Sequence, residues 1–308
     1  MGVSSQSRIR LGTRSSPLAR WQAEWVSARL MALGVAVEMI HITTQGDVKT
    51  GPLGQIGGQG LFTKEIQRAL LDQEIDLAVH SLKDLPTAPV PGLTIAAVPA
   101  RESINDVLVG PYRALDELPP GARIGTGSLR RRAQLLNQRP DLQLLEIRGN
   151  VDTRLRKLDA GEYDAIVLAQ AGLSRLGLAE RITYVIPPQI MLPAVGQGAL
   201  GLETRADDAV TKQLLQPLND FHSLQAVTAE RTLLFALRAG CLAPVGAWAQ
   251  VEAGRLGLQA VVLHPDGQQR VAAEGAAALE QAAALGEEVA QNLLRQGAAG
   301  LISAARAS

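Results

Sequence analysis

Cysteine is almost missing from this 308-residue chain: Cys241 stands alone, so no disulfide can close within it and a reducing compartment is expected. Aromatic residues make up 3%, too few to build base-stacking platforms. Net charge is zero, with 30 basic and 30 acidic residues, so no global field draws nucleic acid or an anionic membrane. His41, His80, His222 and His264 are scattered, and neither paired cysteines nor a His-x-x-x-His spacing occurs, so no metal is expected. No nucleophile-elbow pattern supports a Ser-His-Asp triad. No basic-then-apolar leader precedes Arg8, so no export signal is expected. The run from Ile182 to Leu202 is uncharged, but three prolines (187, 188, 193) and three glycines (196, 198, 201) break it. It reads as a buried crossing between domains, not a membrane helix. A cytoplasmic chain follows, and with no long exposed apolar seam, a monomer.

What is present is 46% hydrophobic residues, enough for two or three packed domains at this length. The organising stretch is Gly125-Thr126-Gly127-Ser128-Leu129-Arg130-Arg131-Arg132. A short strand at Arg123 and Ile124 runs into a turn that opens a helix through Leu136. Free N–H groups and the positive dipole end make such a helix start an anion site, and arginine forks match carboxylate or phosphate. Arg148, Arg154, Arg156 and Arg175 follow. Arg132, Arg139 and Arg156 read equally well as solvated surface; the turn favours a strongly anionic ligand for Arg130 and Arg131.

Upstream, Ile9 and Leu11 lead into Gly12-Thr13-Arg14-Ser15-Ser16-Pro17 and a helix to about Leu33, with Ser16 as N-cap and Gly34 closing it. Leu18, Trp21, Trp25 and Ala28 share helical spacing and are expected in the core. Val35 to Thr43 reads as a strand. Gly46 to Gly60 holds six glycines among polar residues and is either a connector or a lid over a cleft. A helix over 61–72 and a strand over 75–80 lead to Ser81-Leu82-Lys83-Asp84. The pattern then repeats. Leu11-Gly-Thr-Arg-Ser resembles Ile124-Gly-Thr-Gly-Ser, and Glu74-Ile-Asp-Leu-Ala-Val resembles Glu162-Tyr-Asp-Ala-Ile-Val, in the same order. Two similar α/β lobes follow, roughly 1–100 and 101–193, of the kind that close on a ligand by a hinge, read here at Gly196-Gln197-Gly198. After Phe221 the chain turns alanine-rich. A helix over 224–239, a three-stranded meander and a final helix to about Gln296 form a small α+β domain.

Two further residues carry chemical potential. Asp84 sits just past a strand end, where α/β active sites gather; a helix N-cap or surface pair explains it equally. Cys241 follows Gly240 in a loop; most free cysteines are small buried hydrophobes, and an open position favours a reactive one.

Together these stretches resemble the porphobilinogen deaminase family. The motifs are Thr13-Arg14-Ser15-Ser16-Pro17-Leu18-Ala19, Gly57-Gly58-Gln59-Gly60-Leu61-Phe62 and Ala78-Val79-His80-Ser81-Leu82-Lys83-Asp84-Leu85-Pro86. Gly125 to Arg131, Arg148-Gly149-Asn150-Val151, Gly161 to Ala165, Leu192 to Gly198 and Gly240-Cys241 continue them, and beyond about residue 255 only the domain shape is similar. The family joins four porphobilinogen molecules head to tail with loss of ammonia, then hydrolyses off hydroxymethylbilane. Its cofactor is a dipyrromethane held by a cysteine thioether, which the resemblance implies at Cys241. It also implies Asp84 as catalytic carboxylate. Lys83, Ser128, Arg130, Arg131 and Arg154 would hold the cofactor, and Arg14, Ser16, Arg148 and Arg175 the substrate. The implied fold is two similar periplasmic-binding-protein-like α/β lobes with a hinge, plus a small C-terminal α+β domain. Residues 1–100 and 194–219 would form the first lobe, 101–193 the second, and 220–308 the cysteine-bearing domain.

This chain departs from the family pattern at Gln59 (usually lysine), Gly127 (commonly serine) and Ala239 (glycine). Two rival readings remain. A non-catalytic binder of small polycarboxylates explains the arginines and the repeat but leaves Cys241 idle. A nucleic-acid binder explains only the arginines.

Overall fold

The strand β1 (Arg8–Thr13) alternates its side chains so that Ile9 and Leu11 are buried on one face. In the computed structural model, which describes residues 8–43, 63–240 and 243–307, β1 is the second strand of a five-stranded sheet. Its neighbours are β2 (Ala36–His41) and β3 (Leu77–Ser81), both parallel to it. Beyond β3 comes β10 (Leu200–Arg205), antiparallel to both β3 and the edge strand β4 (Leu93–Ala97). The order is therefore β2-β1-β3-β10-β4. Helix α1 (Pro17–Ala32) covers one face with Ala23, Val26 and Leu30 against Ile9, Leu11, Leu77 and Val79. Helix α2 (Lys64–Leu71) covers the other through Ile66, Ala69 and Leu70 against Ala78.

A second sheet repeats this plan strand for strand. β6 (Arg123–Gly125) runs parallel to β7 (Gln143–Leu145) and β8 (Ala165–Ala169). β5 (Asp106–Val109) is antiparallel to β8 and to β9 (Tyr184–Ile186), which gives the order β7-β6-β8-β5-β9. The repeated sequence carries the same contacts. At the entry to β1 and β3 the Asp76 N–H donates to the Arg10 carbonyl, while the Arg10 N–H and its guanidinium donate to the Asp76 carboxylate; Arg123 and Asp164 do the same at β6 and β8. Gly12 and Gly125 occupy matching places, where a Cβ would run into the Ile75 side chain and the Tyr163 ring respectively. The two lobes are thus α/β units of one topology.

The third sheet is the meander β11 (Val245–Glu252), β12 (Arg255–Leu263) and β13 (Arg270–Ala277). It packs with α7 (Phe221–Ala236), α8 (Ala282–Arg295) and α9 (Ala298–Ala307) around Ala229, Leu233, Leu258, Val289 and Ile302. The chain falls into two compact units, residues 1–101 with 199–224, and residues 102–198 with 225–308. The second contains both the β5–β9 sheet and the meander.

Several expectations shift. Ser16 does cap α1, accepting from the Ala19 N–H, and Gly34 takes a left-handed φ of 82° just past its end. The buried face of α1, however, is Gln22, Ala23, Val26, Ser27 and Leu30; Ala28 is exposed and Trp25 only half-buried under the Arg29 guanidinium. Helix α2 starts at Lys64, and the glycine-rich stretch from Gly46 to Gly60 lies outside the described residues. The turn at Gly196-Gln197-Gly198, read as a hinge, ends where the chain passes from one unit to the other, and its residues are buried and hydrogen-bonded. The Gly196 N–H donates to Glu230, Gln197 Nε2 donates to the Ile104 carbonyl, and the Gly198 carbonyl accepts from Arg175. Gly198 sits at φ 85° against the Glu102 and Ser103 carbonyls, where no side chain fits. Among the described residues no helix is long and apolar enough to cross a membrane. The helix α9 was not foreseen.

Candidate active site

Asp84 is the last residue of a short 3₁₀ turn, Leu82–Asp84, that leaves the C-terminal end of β3. Leu82 and Leu85 are buried on either side, and the Leu82 N–H donates to the Ala199 carbonyl, so the turn is anchored while Asp84 stays exposed. Its carboxylate has no hydrogen bond or ion pair among the described residues, so it neither caps a helix nor pairs on the surface there. Lys83 beside it is half-buried. The strand beneath is gripped from both faces. On the α1 face, the Ser81 hydroxyl lies 2.8 Å from Gln22 Nε2. On the α2 face, buried His80 places Nε2 2.9 Å from Glu203 Oε2, while Gln67 Nε2 donates to Glu203 Oε1 at 2.9 Å. Arg14 and Ser16 sit in the loop from β1 into α1 of this same unit, both half-buried.

The arginine turn in the other unit differs from its simplest reading. Ser128 caps α3 (Leu129–Gln138), and Arg130 and Arg131 are buried at 4% and 6% exposure. Both meet Asp106, the fully buried first residue of β5. Arg131 donates through Nε and Nη2 to Oδ1, and Arg130 Nη1 lies 2.7 Å from Oδ2. Gln197 Nε2 adds a third partner to Oδ1 at 2.9 Å. Arg131 Nη1 and Arg130 Nη1 also donate to the Val167 and Leu192 carbonyls. Burial alone would raise the Asp106 carboxyl pKa, but the two guanidinium charges outweigh it and hold the group well below the usual carboxylate range. Burial pushes Arg130 below the ordinary arginine value, with Asp106 opposing that shift. The Arg130 Nε is buried with no hydrogen-bond partner among the described residues. A buried donor in a cluster of two guanidiniums and one carboxylate, with one positive charge in excess, suits a further carboxylate, and that fits an acidic pyrrole cofactor.

The remaining candidates scatter. Arg148 pairs with Glu146 at 2.5 Å, Arg154 Nε donates to the Gly149 carbonyl, and Arg175 reaches the Gly198 carbonyl in surroundings whose burial lowers its pKa. Arg139 binds Asp141 and the Leu115 and Leu118 carbonyls, a structural role; Arg132 donates to the Leu144 carbonyl, and Arg156 is exposed. Cys241 lies outside the described residues. Asp106, Glu203 and Gln67 had not been singled out from the sequence, and Gln197 only as part of the expected hinge. The available signal was an acidic residue inside an apolar strand, Asp106 before Val107-Leu108-Val109 and Glu203 after Leu200-Gly201-Leu202.

Two family models match the chain. Residues 9–213 match "Porphobilinogen deaminase, dipyromethane cofactor binding domain", and residues 224–295 match "Porphobilinogen deaminase, C-terminal domain". The second match carries the similarity well past residue 255, where the motifs alone had left only domain shape. A porphobilinogen deaminase from Syntrophotalea carbinolica is 49% identical over 304 residues, covering 97% of this chain and 96% of that relative. Among solved structures, the methionine binding protein MetQ aligns at TM-score 0.46 and 15% identity over 74% of this chain and 95% of its own. The Bordetella pertussis BvgS VFT2 domain aligns at TM-score 0.42 and 16% identity, over 68% and 84%. These two likenesses are too distant to bear on function. The family models and the relative are decisive: this chain belongs to the porphobilinogen deaminase family.

Proposed function

We propose that Asp84 is the catalytic carboxylate of this enzyme. As a porphobilinogen deaminase, the protein is a transferase that condenses four porphobilinogen molecules with release of ammonia and hydrolyses the product to hydroxymethylbilane. The observation that carries the Asp84 reading is an exposed carboxylate, without a partner among the described residues, on an otherwise clamped strand end. Each substrate loses ammonia to give an electron-poor methylene pyrrole whose positive charge lies near the ring N–H. A fixed carboxylate stabilises that charge and takes up or returns the proton.

When bound, the dipyrromethane supplies the terminal pyrrole to which substrates are joined. Cys241 would hold it through a thioether, with Lys83, Ser128, Arg130, Arg131 and Arg154 taking its acetate and propionate groups. Because Arg131 already spends three donors inside the protein, it contributes charge and a fixed helix start more than a free fork. Arg14, Ser16, Arg148 and Arg175 would hold the incoming porphobilinogen. We further read the three sheets as three domains, 1–100 with 194–219, 101–193 and 220–308, in a cytoplasmic monomer that binds no nucleic acid.

The test of cofactor attachment is intact mass. Purified protein carries two pyrrole rings, and Cys241→Ser folds but does not. An adduct of that mass on another residue of the serine variant overturns the assignment.

A further inference from the structure

We propose that the buried Glu203, bridging His80 and Gln67, is a positioning residue for Asp84, with the Ser81–Gln22 pair as its counterpart on the opposite face of the sheet. The proposal rests on the reading of Asp84 as the catalytic carboxylate. Successive residues of β3 point to opposite faces, so His80 faces α2 and Ser81 faces α1. Each of these last two strand residues is tied to a glutamine of the helix on its side, His80 through Glu203 to Gln67, and Ser81 directly to Gln22. Three residues later comes Asp84.

The His80 and Glu203 side chains are 4% and 6% exposed, so they do not meet substrate and do not act as acid or base. Nor is stability an adequate reason for them. A carboxylate buried on the sheet opposite Ala78 costs desolvation that an apolar residue there avoids. What directional hydrogen bonds add is orientation. Apolar contacts let a strand end shift by fractions of an ångström; two opposed hydrogen-bonded ties fix its height and its rotation together. The Asp84 carboxylate has no partner of its own among the described residues, so its aim is set by the backbone that carries it.

The test compares variants by steady-state kinetics, on protein shown by mass to carry its cofactor and by circular dichroism to be folded. Glu203→Ala removes the bridge and is expected to lower kcat by ~10–10²-fold, the cost of a small misplacement, with KM for porphobilinogen unchanged. Glu203→Gln can keep both hydrogen bonds, its amide donating to His80 Nε2 in the tautomer that accepts there and its oxygen accepting from Gln67, and is expected to restore most of kcat. Gln22→Met removes the tie on the other face and gives the same signature if Glu203→Ala fails to fold. In an Asp84→Asn background neither substitution lowers kcat further, since both act through Asp84. Wild-type kcat in folded Glu203→Ala and Gln22→Met, or an equal further loss in the Asp84→Asn background, overturns the positioning role alone. Near-normal turnover in Asp84→Asn itself overturns the catalytic reading beneath it.

Discussion

Replacing Asp106 by asparagine keeps the shape of the side chain and removes the one negative charge between two buried guanidiniums. The carboxylate takes Arg131 twice and Gln197 once on Oδ1, and Arg130 on Oδ2. An asparagine oxygen can keep the first set only by turning its NH₂ group toward Arg130, donor against donor. Removing one partner from a buried ion pair typically costs about 3–5 kcal/mol, because the other charge remains buried. At ~2–4 °C per kcal/mol for a unit of this size, the melting temperature of the variant should fall by about 6–20 °C at pH 7. The sign with pH follows from the depressed Asp106 pKa. Its contribution is complete above the ordinary carboxylate value of ~3.9 and is lost as pH falls below it toward the folded value. Calorimetric melts of both proteins should therefore differ fully at pH 7 and pH 5 and converge only below about pH 4. A variant that melts with wild type at pH 7 refutes the idea that Asp106 anchors the arginine turn.

The pair that repeats in both lobes gives a second pH effect. Burial raises the Asp76 carboxyl pKa, but hydrogen bonds from Arg10 and Arg205 overcome this and hold it at about 2. Its contribution to stability is present above about 3.9 and lost as pH falls through about 2, so acid unfolding followed by circular dichroism should converge with that of Asp76→Asn in that window. The Arg10 end is partly exposed, so the gap at neutral pH should be modest. Gly125→Ala puts a methyl 2.9 Å from the rigid Tyr163 ring and from Ile166, an overpacking worth about 1–3 kcal/mol by urea denaturation. Gly12→Ala meets chiefly the flexible ends of the Ile75 and Ile42 side chains and should cost less; the reverse order contradicts the packing argument.

The duplicated lobes were legible because their signals are local. A glycine where the strand passes a bulky neighbour, and an aspartate entering the next strand beside it, recur at Gly12 with Asp76 and at Gly125 with Asp164. The arginine turn was legible as an anion site but not as one already furnished with an internal anion. Asp106 is 24 residues before Arg130 in sequence, and a guanidinium fork suits a protein carboxylate as well as a ligand's. The core face of α1 was misread because Gln22 and Ser27 are buried, Gln22 against Ser81, so the polar residues belong to the face a hydropathy pattern assigns to solvent. The break at Gly297, with φ 96°, separates α8 from α9; in an alanine-rich run it reads as the end of the chain's last helix.

Turnover at saturating porphobilinogen in Asp84→Asn and Asp84→Glu, on cofactor-loaded protein, tests the central claim most directly. Asparagine keeps the size and one acceptor oxygen but removes the charge and the proton-accepting capacity, so the loss should reach at least the ~10²–10⁴-fold typical of a placed proton-transfer group. Glutamate keeps the charge about one methylene away and should retain more activity than asparagine. Since Asp84 makes no hydrogen bond or ion pair among the described residues, neither substitution should lower the melting temperature. An asparagine variant that turns over within about tenfold of wild type, below the range for proton transfer, contradicts the claim.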